Sequence, residues 1–144
     1  MGELSDSIFP ARRDPNLALN NNMVLCVDDE PKGLQIRQLL LQYQGYRVLT
    51  ATSGRESLAL FTAHPISAVV LDYAMPGMDG GEVAAEMKRL KPEVKILLLS
   101  AYVDLPHEAL RHVDARAVKG TSPVTLLNAL QALLACKAAA AQSV

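Results

Sequence analysis

Apolar residues along the chain fall into short unbroken runs, separated by stretches in which they recur at helical spacing. Met23 to Val27 is the first run, and its continuity without polar alternation predicts a strand covered on both faces. Pro31 suits the first turn of a helix, and Ile36, Leu39, Leu40 and Tyr43 mark an apolar stripe that stops near Gly45. Tyr46 to Ala51 reads as a second strand. Ser53, with Glu56 three residues on, forms a capping box for a helix carrying Leu58 and Phe61. Ile66 to Leu71 is a third strand, terminated by Asp72. A turn-rich segment from Pro76 to Gly81 leads to a helix bearing Val83, Met87 and Leu90, and Val94 to Leu99 is a fourth strand. Asp104 is placed to cap a short helix through Leu110. Ala115 to Val118 makes a fifth strand, and Ser122-Pro123 opens a last helix with Leu126, Leu130, Leu133 and Leu134. Residues 1–22 show no sustained period and read as a flexible leader, 23–137 as one domain, and 138–144 as a short alanine-rich tail.

Five strand and helix pairs of this length predict an α/β fold with right-handed crossovers. The expectation is a flavodoxin-like doubly wound sheet of five parallel strands, order 2-1-3-4-5, with five helices on its two faces. In that order the direction of winding reverses between the first and third strands, so ligand chemistry belongs at their C-terminal ends. Those ends are Asp28 and Asp72.

Composition narrows the function. A chain of 144 residues, half of them hydrophobic, suits one domain. Its net charge of -1 offers no basic field for a nucleic-acid backbone. Cys26 and Cys136 form no CxxC pair and read as buried small hydrophobes in a reducing compartment. No apolar stretch approaches the roughly 18 residues of a membrane span, and no signal peptide is visible, so the cytoplasm is the default location.

The chemistry-bearing residues collect at strand ends: Asp28 and Asp29 after the first, Asp72 after the third, Ser100 after the fourth and Lys119 after the fifth. Three carboxylates crowded together repel, and a hard divalent cation with oxygen ligands relieves them; Mg2+ suits a solvent-open site of this kind. A carboxylate becomes an effective phosphoryl acceptor when a metal and a fixed cation share the charge of the transferring oxygens, and Lys119 is that cation. Ser100 is placed to donate its hydroxyl to a phosphoryl oxygen and to report its presence.

At these positions the chain resembles the receiver domains of two-component response regulators, typified by the single-domain chemotaxis receiver. The resemblance rests on four ordered motifs: Asp28-Asp29, the stretch from Asp72 through Met75-Pro76-Gly77 to Gly80, Ser100-Ala101, and Lys119, and it runs from about residue 23 to about 137. It implies that a histidine kinase or a histidine phosphotransfer protein donates a phosphoryl group to Asp72 with Mg2+ bound. Asp29 and Asp72 would ligate the metal directly, Asp28 through water, and the Ala74 carbonyl would complete the set. It also implies a phosphorylation-dependent output face made by the fourth helix, fifth strand and fifth helix, with homodimerisation left open. Such a domain is not an enzyme beyond its own phosphorylation and dephosphorylation.

The chain departs from the family in two places. Arg116 stands where the family has an aromatic switch residue, and is read either as a solubilising charge or as a partner contact. Gly120 replaces the usual proline after the lysine, so no cis bond is expected at Lys119-Gly120. Tyr102, two residues past Ser100, either covers the path of an attacking water or rests on the surface; Ala74, small and two past Asp72, leaves that path open. His64, His107 and His112 read as surface residues, and Tyr73 as packing beside the first helix. The competing function is a receiver-like interaction module without phosphotransfer. An aspartyl-nucleophile phosphatase would need an acid where Ala74 stands, and a flavin-binding protein would need Gly, Ser or Thr in the Asp-Asp-Glu-Pro turn. The chain shows no DNA-binding or enzymatic output segment, so its signal is expected to pass by contact.

Overall fold

The structure, a computed structural model, describes residues 22–142, the last seven of these by backbone alone. The leader assigned to 1–22 therefore lies outside the described residues except for Asn22, as does the side chain of Cys136. Five strands form one parallel sheet: β1 (Met23–Val27), β2 (Arg47–Ala51), β3 (Ile66–Asp72), β4 (Lys95–Ser100) and β5 (Ala115–Val118), in the order β2-β1-β3-β4-β5. The helices between and after them are α1 (Pro31–Tyr43), α2 (Gly54–Ala63), α3 (Gly80–Leu90), α4 (His107–Leu110) and α5 (Pro123–Gln142). The expected order and element count are both present. The last helix continues to Gln142 through residues set apart in the sequence as a tail.

Strand periodicity divides the core. Met23, Leu25 and Val27 face one layer with Phe61, Val83 and Met87 from α2 and α3. Val24 and Cys26 face the other, with Leu34, Leu40 and Leu41 from α1 and Leu126, Leu127 and Leu130 from α5. Every β1 side chain is buried, which is why its sequence shows no alternation.

Several local readings are corrected. Ile36 and Leu39 are 64% and 55% exposed, so the inner stripe of α1 is Leu34, Leu40 and Leu41. Asp104 does not cap α4, whose N-cap is Pro106 and carries no side-chain hydrogen bond. At α2 the Ser53 hydroxyl accepts from Glu56 N–H at 3.1 Å as anticipated, but Glu56 reaches one residue further back, to Thr52 N–H at 2.7 Å. A complete capping box occurs instead at α3, where Asp79 accepts from Glu82 N–H at 2.9 Å and Glu82 accepts from Asp79 N–H at 3.3 Å. Tyr73 packs in the layer of α2 and α3 rather than beside α1, lining a cleft with Asp79, Ala85 and His112.

Gly80 fixes where α3 begins. A Cβ there would stand 2.6 Å from the Asp72 carbonyl oxygen and 2.8 Å from Tyr73 Cα, so only glycine lets the helix start this close to the end of β3. Its N–H donates to Tyr73 O at 2.8 Å, closing the loop that follows Asp72.

Candidate functional site

The C-terminal ends of β1, β3 and β5 bring Asp28, Asp72 and Lys119 together. Lys119 Nζ lies 3.1 Å from Asp28 Oδ2 and 3.0 Å from Asp72 Oδ1. Asp28 and Asp72 are 1% and 2% exposed, whereas Asp29 is open to solvent. One carboxylate oxygen from each of the three acids falls within 4.8 Å of the others.

The backbone sets these positions. Asp28 N–H donates to Ala51 O at 3.1 Å, extending the β1–β2 ladder one residue past the strand, and Asp72 pairs with Leu99 of β4. Ser100 is therefore one residue beyond the level of Asp72 on the adjacent strand. Lys119 N–H donates to the Ser100 carbonyl at 2.8 Å, which carries the β4–β5 pairing up to the lysine. The Lys119–Gly120 peptide is trans, and Gly120 turns the chain with φ +86, a conformation open to glycine and strained for other residues.

The two buried acids differ electrically. Burial pushes the Asp72 carboxyl up, and the neighbouring Asp28 and Asp29 charges add to this; Lys119 opposes them without cancelling the rise. Burial acts the same way on Asp28, but the Glu30 N–H at 2.9 Å, Lys119 and Arg37 outweigh it and hold that carboxyl below its ordinary value. Lys119 loses by burial and gains more from Asp72 and Asp28, so its ammonium is held charged.

Asp72 Oδ2 is buried and has no hydrogen-bond partner, an arrangement that costs free energy unless a ligand completes it. With three carboxylates converging and a buried oxygen of Asp72 left unsatisfied, the site fits a hard divalent cation of the Mg2+ type.

Of the other residues singled out in the sequence, Ser100 is buried, with its hydroxyl accepting Tyr102 N–H at 2.9 Å. Ala74 is exposed in the loop just past Asp72. The Tyr102 ring is 67% exposed and rests on the surface beside Ser100, Val103 and Arg116, so it does not roof the acids. Arg116 is exposed and donates to Val103 O at 3.0 Å. His107 is exposed, while His64 and His112 are half-buried. Cys26 is buried, and desolvation pushes its thiol up to about 12, so it is inert as a nucleophile. Arg37 of α1, overlooked in the sequence, donates to Asp28 Oδ2. Its signal was a charged residue three after Leu34 and four before Leu41, on the inner stripe of the helix.

The chain has relatives of known kind. A family model described as the response regulator receiver domain matches residues 24–130. Response regulator SaeR of Staphylococcus aureus is 40% identical over 78 residues, 54% of this chain and 34% of that protein, so the match spans about a third of the relative's length. Response regulator protein TrrA of Thermotoga maritima, solved in complex with Mg2+-BeF, superposes with a TM-score of 0.72 at 35% identity, covering 78% of this chain and 98% of that one. TrrA is also known in complex with the histidine kinase ThkA. A CheY-like receiver domain protein of Methanospirillum hungatei superposes with a TM-score of 0.78 at 26% identity over 82% of this chain and 97% of its own. The strand order, the acids at the β1 and β3 ends and a family match across most of the chain agree: this chain belongs to the response regulator receiver domains of two-component systems.

Proposed function

We propose that the domain accepts a phosphoryl group on Asp72 and signals by the surface change that follows. The observation that carries this is the state of the Asp72 carboxylate: one oxygen on Lys119 at 3.0 Å, the other buried and unpartnered, in a residue that converges with Asp28 and Asp29. Asp28, Asp29 and Asp72, with the Ala74 carbonyl, would hold Mg2+. Bound there, the ion supplies positive charge to the phosphoryl oxygens.

The protein's own groups do the rest. An oxygen of Asp72 attacks phosphorus, a P–O bond forms, and the bond to the donor's histidine nitrogen breaks with its electron pair leaving on nitrogen. Lys119 moves from a carboxylate contact to a phosphoryl oxygen without crossing the site, because it already stands beside Asp72. The Ser100 hydroxyl, now holding Tyr102 N–H, turns to donate to another phosphoryl oxygen, which frees the start of the β4–α4 loop.

The donor is a histidine kinase or histidine phosphotransfer protein, a reading supported by the kinase complex of TrrA. The output passes through α4, β5 and α5; exposed Val118 and Val124 lie on β5 and α5, and exposed Tyr102 and Val103 on the loop that leads to α4. The domain works in the cytoplasm on this reading; among the described residues no helix is long and apolar enough to cross a membrane.

Incubation with a small acyl phosphate and Mg2+, followed by intact-mass measurement, tests the proposal. A single phosphoryl adduct that is lost in Asp72→Asn is the expected result. An adduct that survives the substitution would overturn Asp72 as the acceptor, and no adduct at all would favour a binding module held in one state, with Arg116 fastening the β4–α4 loop through Val103.

A further inference from the structure

Both carboxylate oxygens of Asp28 are held by donors. Its Oδ1 accepts the Glu30 N–H at 2.9 Å, and its Oδ2 is shared by Lys119 at 3.1 Å and by the guanidinium of Arg37. Two cations therefore converge on one oxygen of the first-strand acid, while Oδ2 of Asp72 has no partner.

Arg37 is built into this position. Its side chain is 16% exposed, and it sits on α1 three residues after buried Leu34 and four before buried Leu41. The guanidinium lies against Gly33, where an added Cβ would stand 3.5 Å from one terminal nitrogen and 3.6 Å from the other. A methyl would fit at that distance, but a longer side chain would compete for the same space. The room that Gly33 leaves in the first turn of α1 is filled by the arginine.

A guanidinium is a delocalised cation with a planar fork of donors. In the metal-free pocket, Arg37 and Lys119 thus set two positive charges against the three acids. A divalent cation arriving at those acids meets both. We propose that Arg37 is a resident counter-ion that competes with the divalent cation: it holds the acid cluster together without metal and lowers the pocket's metal affinity. It is a positioning residue for Asp28, and the inference rests on reading the acid cluster as a metal site.

The test is direct Mg2+ titration by calorimetry, without phosphodonor, paired with thermal melts in chelator and in saturating Mg2+. Arg37→Gln removes the charge and keeps a polar group of similar reach. It binds Mg2+ about tenfold more tightly than the parent, the scale of one partly screened charge interaction. It also melts below the parent in chelator, and the gap closes when Mg2+ is added. Arg37→Lys, which keeps the charge, stays within about threefold of the parent affinity. An Arg37→Gln affinity no tighter than the parent's, or a melting deficit equal with and without Mg2+, would overturn the proposal. These outcomes are separable from the phosphoacceptor reading. An unchanged affinity in a protein that still forms the Asp72 adduct removes the role of Arg37 alone, whereas tighter Mg2+ binding without any adduct supports that role and removes the phosphoacceptor reading.

Discussion

Asp28 and Asp72 end neighbouring strands and share Lys119, yet their carboxyls are displaced in opposite directions, because Asp28 has Glu30 N–H and Arg37 in addition. An acid held above its ordinary value supports the fold only while protonated, so its contribution is intact in acid and is lost as pH rises through the folded value. Asp72→Asn should therefore raise the melting temperature in chelator at neutral pH, with the gain fading toward about pH 4, where the unfolded carboxyl also protonates. Asp28 has the other sign: its contribution is present above the ordinary carboxylate range and is lost as pH falls through the lowered value. Asp28→Asn should cost about 1–2 kcal/mol at neutral pH, since it strands Arg37 and Lys119, and the deficit should shrink in acid. Melts of both variants from acid to neutral pH check the pair. Lys119→Ala should slow phosphoryl uptake from a small acyl phosphate by about 10²-fold or more, as expected when a group that stabilises developing charge is removed. The acids, the serine and the lysine were legible because each ends a predicted strand. Arg37 was not, because Ile36 and Leu39 are as apolar as Leu34 and Leu41 although they are exposed, and a stripe drawn through them rotates α1 and turns Arg37 away from the sheet.

At the scale of elements, the β3–α3 connection is the most tightly specified. Gly80 lets the helix start against the Asp72 carbonyl, and the Asp79–Glu82 capping box closes its first turn. Gly80→Ala should destabilise by about 2 kcal/mol or more, since the atoms a Cβ would meet are backbone, and it should also disturb the loop carrying Ala74. Asp79→Ala should cost about 1 kcal/mol through loss of the cap while leaving Mg2+ binding near the parent value. Chemical denaturation with a parallel Mg2+ titration separates the two effects. Continuous apolar runs made β1, β3 and β4 easy to place, since each is covered on both faces. Asp104 is a good cap residue by type, yet the N-cap of α4 stands two residues later. Pro106, whose φ of −58 suits a helix entry, stands closer to the first turn, and the four-residue helix needs no side-chain cap to form. So short an α4 leaves the outer face of β5 uncovered, which is why Arg116 and Val118 are exposed.

For the molecule as a whole, the sheet was legible because five strand and helix pairs admit few parallel topologies, and the order β2-β1-β3-β4-β5 puts the acids of β1 and β3 side by side. The apposition follows from topology, whereas the charge balance around Asp28 depends on side chains reaching across layers. Because the pocket lies between strands on which both core layers rest, filling it should stabilise the whole domain. Saturating Mg2+ at 100 times its dissociation constant should add about 2.7 kcal/mol to the parent, and Asp29→Ala should lose most of that gain without losing the fold. The most direct test of the central claim is chemical trapping of the phosphorylated residue. After treatment with acyl phosphate and Mg2+, borohydride reduces an aspartyl phosphate to an alcohol, which peptide mass mapping locates. The account predicts the modification at Asp72 alone; modification at Asp28 or Asp29, or at no carboxylate, would contradict it.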